Sequence, residues 1–172
     1  RSLLAKLFGA KGAERIIFTL NCTDSLNIAI KGALREGDHV ITTYMEHNSV
    51  LRPLNALEAS GKISVTKVKP RTEGFIDPAE IKKAIRKNTK LIAMTHASNV
   101  IGTLQPIREV GRIAREAGIL FLVDAAQTAG VISIDIDQDT KPDVVGTVEK
   151  MPFPDSEFDV VLAAEILEHL PF

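Results

Sequence analysis

ILFLVDAAQ, at residues 119–127, is the stretch that decides the fold. Its first six residues, of which five are apolar, are too few for a helix, and glycines at 118 and 130 flank it. This pattern is typical of a strand buried on both faces at the centre of a parallel sheet. Asp124 then falls at the carboxyl end of the strand, where open α/β sheets place their ligands. From this stretch alone, a ligand-binding role and a turn-capping role for Asp124 are equally open.

Strands and helices alternate on the N-terminal side of this stretch. The apolar pattern predicts four earlier strands, at residues 16–19, 39–43, 63–68 and 91–96, with helices between them. Such alternation indicates a mostly parallel sheet with right-handed crossovers. We therefore predict an α/β fold: a three-layer α/β/α sandwich around a mostly parallel sheet of about six to seven strands. Thr23 or Asp24 is the expected N-cap of the first long helix, and Asp77 that of a later one.

Composition and charge exclude several classes of function. The chain has 172 residues, of which 45% are hydrophobic and 25% charged, and its formal net charge is −1. Without a basic run there is no electrostatic case for nucleic acid or for an anionic membrane. No apolar run is as long as a membrane span, and no signal-peptide pattern is present. Cys22 is the single cysteine, which rules out an internal disulfide and favours a reducing, cytoplasmic location.

Polar residues collect just after the predicted strands. They are Thr23, His47, Asn48, His96, Asn99, Asp124 and Gln127. Because the carboxyl ends of parallel strands share one edge, these positions are expected to form one site. A threonine at a helix start suits a phosphate. A carboxylate and an amide suit the nitrogen and hydroxyl of a heteroaromatic ring, on which a histidine stacks. Taken singly, each residue is better explained as a helix cap or a solvated loop residue, and it is their shared location that favours a functional site.

Other kinds of site fit the sequence poorly. The histidines and Cys22 lack the local spacing of metal ligands, so no metal is expected. There is no Gly-x-Ser-x-Gly elbow of a hydrolase, no Gly-x-Gly-x-x-Gly dinucleotide motif and no P-loop.

Five motifs in order give the chain a family resemblance. They are FTLNCTDSLN at 18–27, GDHV at 37–40, EHNSV at 46–50, HASNVIG at 96–102 and VDAAQ at 123–127. Through them, residues from about 2 to 137 resemble class V aminotransferases, and most closely the cysteine desulfurase group of pyridoxal-phosphate enzymes. The resemblance implies a pyridoxal-phosphate-transferase fold, usually dimeric, with the cofactor near the dimer interface.

The resemblance also implies roles for single residues. Cys22 and Thr23 would border the cofactor phosphate, and His47 would stack on the pyridine ring. Asp124 would pair with the ring nitrogen, stabilising its protonated form so that the ring acts as an electron sink. Gln127 would bond the ring hydroxyl, and the remaining motif residue, Asn99, would lie near the substrate.

The sequence departs from this family pattern in two respects. The family's Schiff-base lysine follows one strand later in a Ser-x-His-Lys turn, whereas here the next predicted strand runs into LAAE at 162–165, without a lysine. A second domain, which in desulfurases brings the persulfide cysteine, is not expected from this sequence, and Cys22 lies in the phosphate loop and does not match that role. Catalysis is therefore not expected from the sequence alone.

The last segment has a different resemblance. Residues from about 141 to 172 are similar to the middle of class I S-adenosylmethionine-dependent methyltransferases, through residues 145–162 and EILEHLP at 165–171. The Gly-rich loop of that family does not appear, so S-adenosylmethionine is not expected to bind.

We therefore predict an engineered or rearranged chimera without catalytic activity. Residues 1–137 form a pyridoxal-phosphate-transferase-like fragment, and residues 138–172 form a methyltransferase-like segment that completes the same sheet in one compact domain. The alternatives are a module that binds pyridoxal phosphate noncovalently and, ranked last, a residual pyridoxal-phosphate-dependent enzyme. A truncated family member would keep its dimer interface exposed, so a homo-oligomer is expected.

Overall fold

A computed structural model describes residues 1–129 and the backbone pairing of three short strands beyond them. The helices are α1 (Ser2–Leu7), α2 (Cys22–Ala33), α3 (Asn48–Ala59), α4 (Pro78–Ala84) and α5 (Ile107–Glu116), with a 3₁₀ turn at Ala13–Arg15. The strands are β1 (His39–Thr43), β2 (Ser64–Val68), β3 (Thr89–Thr95), β4 (Leu120–Asp124), β5 (Ile134–Asp135), β6 (Val144–Val145) and β7 (Val161–Leu162). No helix of the described part is long and apolar enough to cross a membrane.

The main sheet is parallel throughout its described pairs. Its strand order is β2-β1-β3-β4-β7, and β5 pairs with β6 in a separate two-stranded sheet. The α/β class with a parallel sheet is therefore confirmed, and β2 forms one edge of the main sheet. In the described part the main sheet has five strands instead of the six to seven predicted, because one predicted strand does not form and β5 and β6 pair with each other.

Helices cover both faces of this sheet, as expected for three layers. On one face α2 and α3 pack through Leu26, Ile30 and Leu54 onto the strands. On the other face α4 and α5 contribute Ile81 and Val110 to a second cluster. Neighbouring strand residues alternate between the two clusters because successive side chains of a strand point to opposite faces. In β3, for example, the residues at 91 and 93 join the first cluster and those at 92 and 94 the second.

The predicted strand at residues 16–19 is wrong. This segment has no regular secondary structure, and Ile17 and Phe18 are 73% and 56% exposed. Its apolar pattern matched a strand, yet no described strand pairs with it, and a strand forms only where a neighbour takes up its backbone hydrogen bonds.

The helix starts agree with the sequence at one position and differ at another. Asp77 caps α4 as predicted, accepting a hydrogen bond from the Ala79 amide at 2.9 Å. For α2, the prediction of Thr23 or Asp24 as N-cap is wrong. Asn21 is the cap, and its Oδ1 accepts from the Asp24 amide at 2.9 Å. The helix therefore begins early enough to include Thr23 in its first turn.

Most of the predicted methyltransferase-like segment falls outside the described residues. Within that segment, β7 runs parallel to β4, with Val161 opposite Val123 and Leu162 opposite Asp124. The division of the chain into segments 1–137 and 138–172 of one compact domain stays a prediction.

Candidate functional site

The carboxyl ends of β1, β3 and β4 form one rim of the sheet. These strands are parallel neighbours, and in the last pair Thr95 lies opposite Asp124. The loops that leave them carry the polar residues singled out in the sequence, and α2 begins beside the same rim. The predicted convergence of these loops on one edge therefore follows from the observed topology.

Asp124 ends β4 and is 6% exposed. Its Oδ1 accepts a hydrogen bond from the Ala126 amide at 3.1 Å, and the Cys22 thiol lies 3.8 Å from the same oxygen. In the described part, no side chain or amide donates to Oδ2 and no cationic side chain pairs with this carboxylate. A buried carboxylate normally has a cationic or hydrogen-bonding partner, because burial without one is costly. Asp124 thus offers one oxygen to a ligand.

Cys22 and Thr23 occupy the first turn of α2. Because the thiol of Cys22 contacts Asp124, the start of α2 lies directly beside the end of β4. Thr23 is exposed in that turn. The start of a 12-residue helix carries partial positive charge and amide donors, which suit an anion such as phosphate.

His47 stands between β1 and α3 and is the N-cap of α3. Its Nδ1 accepts a hydrogen bond from the Ser49 amide at 3.2 Å and lies 2.7 Å from the Ser49 hydroxyl. An accepting Nδ1 places the proton of a neutral imidazole on Nε2. Although the residue is exposed, one edge of its ring is fixed by the helix. The capping role and a stacking role are compatible, because capping uses only that edge.

Asn99 and Gln127 are both exposed in loops that leave the rim. Ser98 organises the loop of Asn99, and its hydroxyl oxygen accepts from the amides of Val100 and Ile101, each at 3.3 Å. Gln127 lies in the turn after β4, which the Ala129 amide closes by donating to the Ala125 carbonyl at 2.8 Å. The backbone of both loops is fixed, and neither side chain has a described hydrogen bond.

His96 links two of these loops. Its backbone amide donates to the Asp124 carbonyl at 2.9 Å, and its Nδ1 lies 2.8 Å from the Thr128 hydroxyl. Burial lowers the pKa of His96, so its ring is neutral near pH 7. This histidine holds the loops after β3 and β4 together.

Glu46 is the site residue whose importance the sequence did not reveal. In the sequence it stands only as the first residue of the EHNSV motif, without a role of its own, but in the structure it is 7% exposed. Its Oε1 accepts from the Thr43 hydroxyl at 2.6 Å, and its Oε2 has no hydrogen-bond partner among the described residues. Burial, reinforced by the negative charge of Asp124, raises the pKa of Glu46 to about 8, against weaker opposing hydrogen bonds from Thr43 and the Thr95 backbone. The signal available in the sequence was an acid directly before His47.

The structure brings Cys22 and Asp124 into contact and places the loops of Thr23, His47, Asn99 and Gln127 around the same rim. No contact between those four side chains and Asp124 is present in the described part. Nor do any three His, Cys, Asp or Glu side chains there group closely enough to hold a metal ion.

Comparison with known proteins gives a consistent set of relatives. The pattern of the family described as "Aminotransferase class-V" matches residues 1–144. The protein named cysteine desulfurase IscS of Dictyoglomus turgidum is 46% identical over 142 residues, which cover 80% of this chain and 36% of that protein. The protein of the same name from Anaeromyxobacter sp. (strain K) is 43% identical over 141 residues, covering 80% and 34%. The chain thus spans about a third of the length of these relatives.

Solved structures agree. The structure described as "SspA in complex with cysteine" superposes with a TM-score of 0.72 at 39% identity, covering 82% of this chain and 41% of that one. The apo cysteine desulfurase of Thermococcus onnurineus NA1 gives a TM-score of 0.69 at 35% identity, covering 78% and 34%.

These matches contradict the prediction of a non-catalytic chimera. The family match covers residues 1–144 and so passes the predicted join at residue 137. The matched relatives and structures are cysteine desulfurases or similar to them, and they give no support to a methyltransferase segment or to an engineered origin. The error arose because a short strand, loop and helix carry too little information to assign to a family.

Proposed function

The chain belongs to the class V aminotransferase family, and on that premise we propose that it binds pyridoxal phosphate as the cofactor-holding part of a cysteine desulfurase. Class V aminotransferases and cysteine desulfurases use pyridoxal phosphate, and the relatives named above carry the desulfurase name. The substrate that we propose for the whole protein is cysteine.

Asp124 carries this proposal. It is a buried carboxylate at the end of a central strand, with one oxygen that accepts no hydrogen bond in the described part. A protonated pyridine nitrogen is a cationic donor of the kind that such a carboxylate lacks. The donor set therefore fits the cofactor.

Other residues of the rim fit the remaining parts of pyridoxal phosphate. Thr23 and the start of α2 suit the phosphate, and His47 presents an exposed ring whose orientation Ser49 fixes. Gln127 suits the ring hydroxyl, Asn99 the substrate side, and Cys22 borders the phosphate turn. When bound, pyridoxal phosphate supplies an electron sink for breaking bonds next to a substrate amine.

The protein's own contribution is charge and orientation. The carboxylate of Asp124 would favour the protonated form of a ring nitrogen. Because the ring of His96 is neutral, it adds no positive charge that would oppose this protonation. Ser49 holds His47 with Nδ1 toward the helix, which leaves the face of the imidazole available to another ring.

A titration with pyridoxal phosphate tests the proposal. Binding is followed by visible absorbance in the wild type, in Asp124→Asn and in the control Asp38→Asn. Asp38 accepts a hydrogen bond from the Arg35 amide at the opposite end of β1, at 2.7 Å. We expect saturable binding by the wild type and the control, and a loss of about tenfold or more in Asp124→Asn, as is usual for a partner of a buried charge. No binding by the wild type, or equal losses in both variants, would overturn the proposal.

Borohydride treatment of the same samples separates two modes of binding. A fixed adduct on a lysine would show that this chain attaches the cofactor covalently. Saturable binding without an adduct would show that the chain holds the cofactor noncovalently, as expected if no lysine matches the family motif.

Self-association is a further part of the proposal. Several large apolar side chains are strongly exposed, among them Leu3 at 84%, Leu20 at 88% and Val100 at 84%. Exposed apolar surface of this kind is typical of proteins that associate. We expect light scattering across a concentration series to show a homo-oligomer, and a constant monomer mass would contradict this. The reducing, cytoplasmic location also stays a prediction.

A further inference from the structure

The turn between β1 and α3 contains a buried acid that the proposed site does not yet explain. Thr43 ends β1, its hydroxyl accepts from the Met45 amide at 3.0 Å, and it donates to Glu46 Oε1 at 2.6 Å. Glu46 is thereby held inside the protein, directly before His47. These two contacts connect the end of β1 to the residue directly before His47, the N-cap of α3.

The surroundings of Glu46 favour its neutral form. Its second oxygen, Oε2, has no partner among the described residues, so an ionised carboxylate would be buried with few donors. The charged group that acts on it is Asp124, from β4, and its charge is of the same sign. The other neighbours, Thr43 from β1 and the Thr95 backbone from β3, are uncharged. Near pH 7 the site therefore contains two carboxyl groups, of which Glu46 is protonated.

We propose that Glu46 is a positioning residue: as a neutral acid it anchors the turn that carries His47 at the rim of the sheet, and its ionisation releases that turn. The inference rests on the proposed function for its consequence in cofactor binding, but the movement of the turn is independent of any ligand. Glutamine has the shape of the neutral acid and cannot ionise. Glu46→Gln therefore keeps the anchor and removes its dependence on pH.

The first test is free of ligand. The ring of His47 is followed by ¹H–¹³C NMR, with its signals assigned through His47→Asn, from about pH 6 to about pH 10. The wild type is expected to show a transition near pH 8, where Glu46 ionises, and Glu46→Gln is expected to lack it. The absence of this transition in the wild type, or its persistence in Glu46→Gln, would overturn the proposal.

The second test measures binding of pyridoxine 5′-phosphate, which lacks the aldehyde and so binds only noncovalently, by calorimetry at about pH 7 and about pH 9. With a pKa of about 8, about one Glu46 in ten is neutral at pH 9, so the wild type should lose about tenfold in affinity relative to Glu46→Gln. Titration of the ligand affects both proteins equally and cancels in the ratio of their affinities. If this ratio were the same at both pH values, the proposal would be contradicted.

The control is Glu58→Gln. Glu58 is an exposed acid on α3 that also accepts one hydrogen bond, from the Val65 amide at 2.9 Å. It should follow the wild type in both tests. If no protein binds pyridoxine 5′-phosphate at either pH, the proposed function fails, whereas the NMR transition still decides the role of Glu46.

Discussion

Replacing Glu46 with glutamine should change how the stability of the fold depends on pH. In the folded chain Glu46 keeps its proton up to about pH 8, whereas its usual pKa, which applies to the unfolded chain, is 4.5. Between these values folding takes up a proton, so the contribution of Glu46 is fully present below about pH 4.5 and is lost as the pH rises to about 8. Each unit of difference between the two pKa values is worth roughly 1.4 kcal/mol, so the contribution of Glu46 to the free energy of unfolding has an upper limit of about 5 kcal/mol.

The assay is urea unfolding by circular dichroism of the wild type and Glu46→Gln at intervals between about pH 5 and about pH 9. All other titrating groups are shared, so the difference in free energy of unfolding isolates Glu46. As the pH rises, the free energy of unfolding of the variant should increase by several kcal/mol relative to that of the wild type. Above about pH 8 this difference should no longer change. A difference that is constant over the whole range would refute the neutral-acid assignment. Asp124→Asn removes a negative charge that raises the pKa of Glu46. In this variant the loss of stability with rising pH should therefore be complete at a lower pH.

Three other changes test the fold around the site. His39→Leu leaves the hydroxyls of Thr66 and Thr89 without their shared partner and should cost about 1–3 kcal/mol in urea unfolding near pH 7. Because burial lowers the pKa of His39, the wild type should also lose stability as the pH falls below about 6.5, a loss that the variant lacks. Asn21→Ala removes the cap of α2 and should lower the free energy of unfolding by about 0.5–2 kcal/mol. Gln105→Ala removes the acceptor of the Ile76 amide, 3.0 Å away, so hydrogen exchange at that amide should accelerate.

The parts of the fold that the sequence predicts well are those with short-range causes. The strand that ends at Asp124 and the cap at Asp77 depend on residues within a few positions of each other, and both are found in the structure, although only the last three residues of that strand are buried. The segment at 16–19 shows the limit of this reasoning. Its apolar residues are as suitable for a strand as those of β1, but strand formation depends on a partner elsewhere in the chain, which a local pattern does not contain.

The same limit explains what was and was not predicted of the site. The carboxyl ends of parallel strands lie at one edge of the sheet. Asp124 and the loops of His47 and Gln127 could therefore be predicted to lie at that edge. The contact of Cys22 with Asp124 supports the closeness of α2 and β4. Burial of Glu46 was missed because it results from packing between elements that are distant in sequence, whereas His47 and Asn48, which follow it, are polar and exposed.

The contact between Cys22 and Asp124 also has a consequence for folding kinetics. The two residues are 102 positions apart, so this part of the rim is assembled by one of the longest loop closures in the described chain. Helices form locally within microseconds, whereas non-local parallel pairing is slow. In a refolding experiment, far-ultraviolet ellipticity should therefore recover before the rim is complete. The ability to bind a ligand there should appear only with the slowest phase, when α2 and β4 have met.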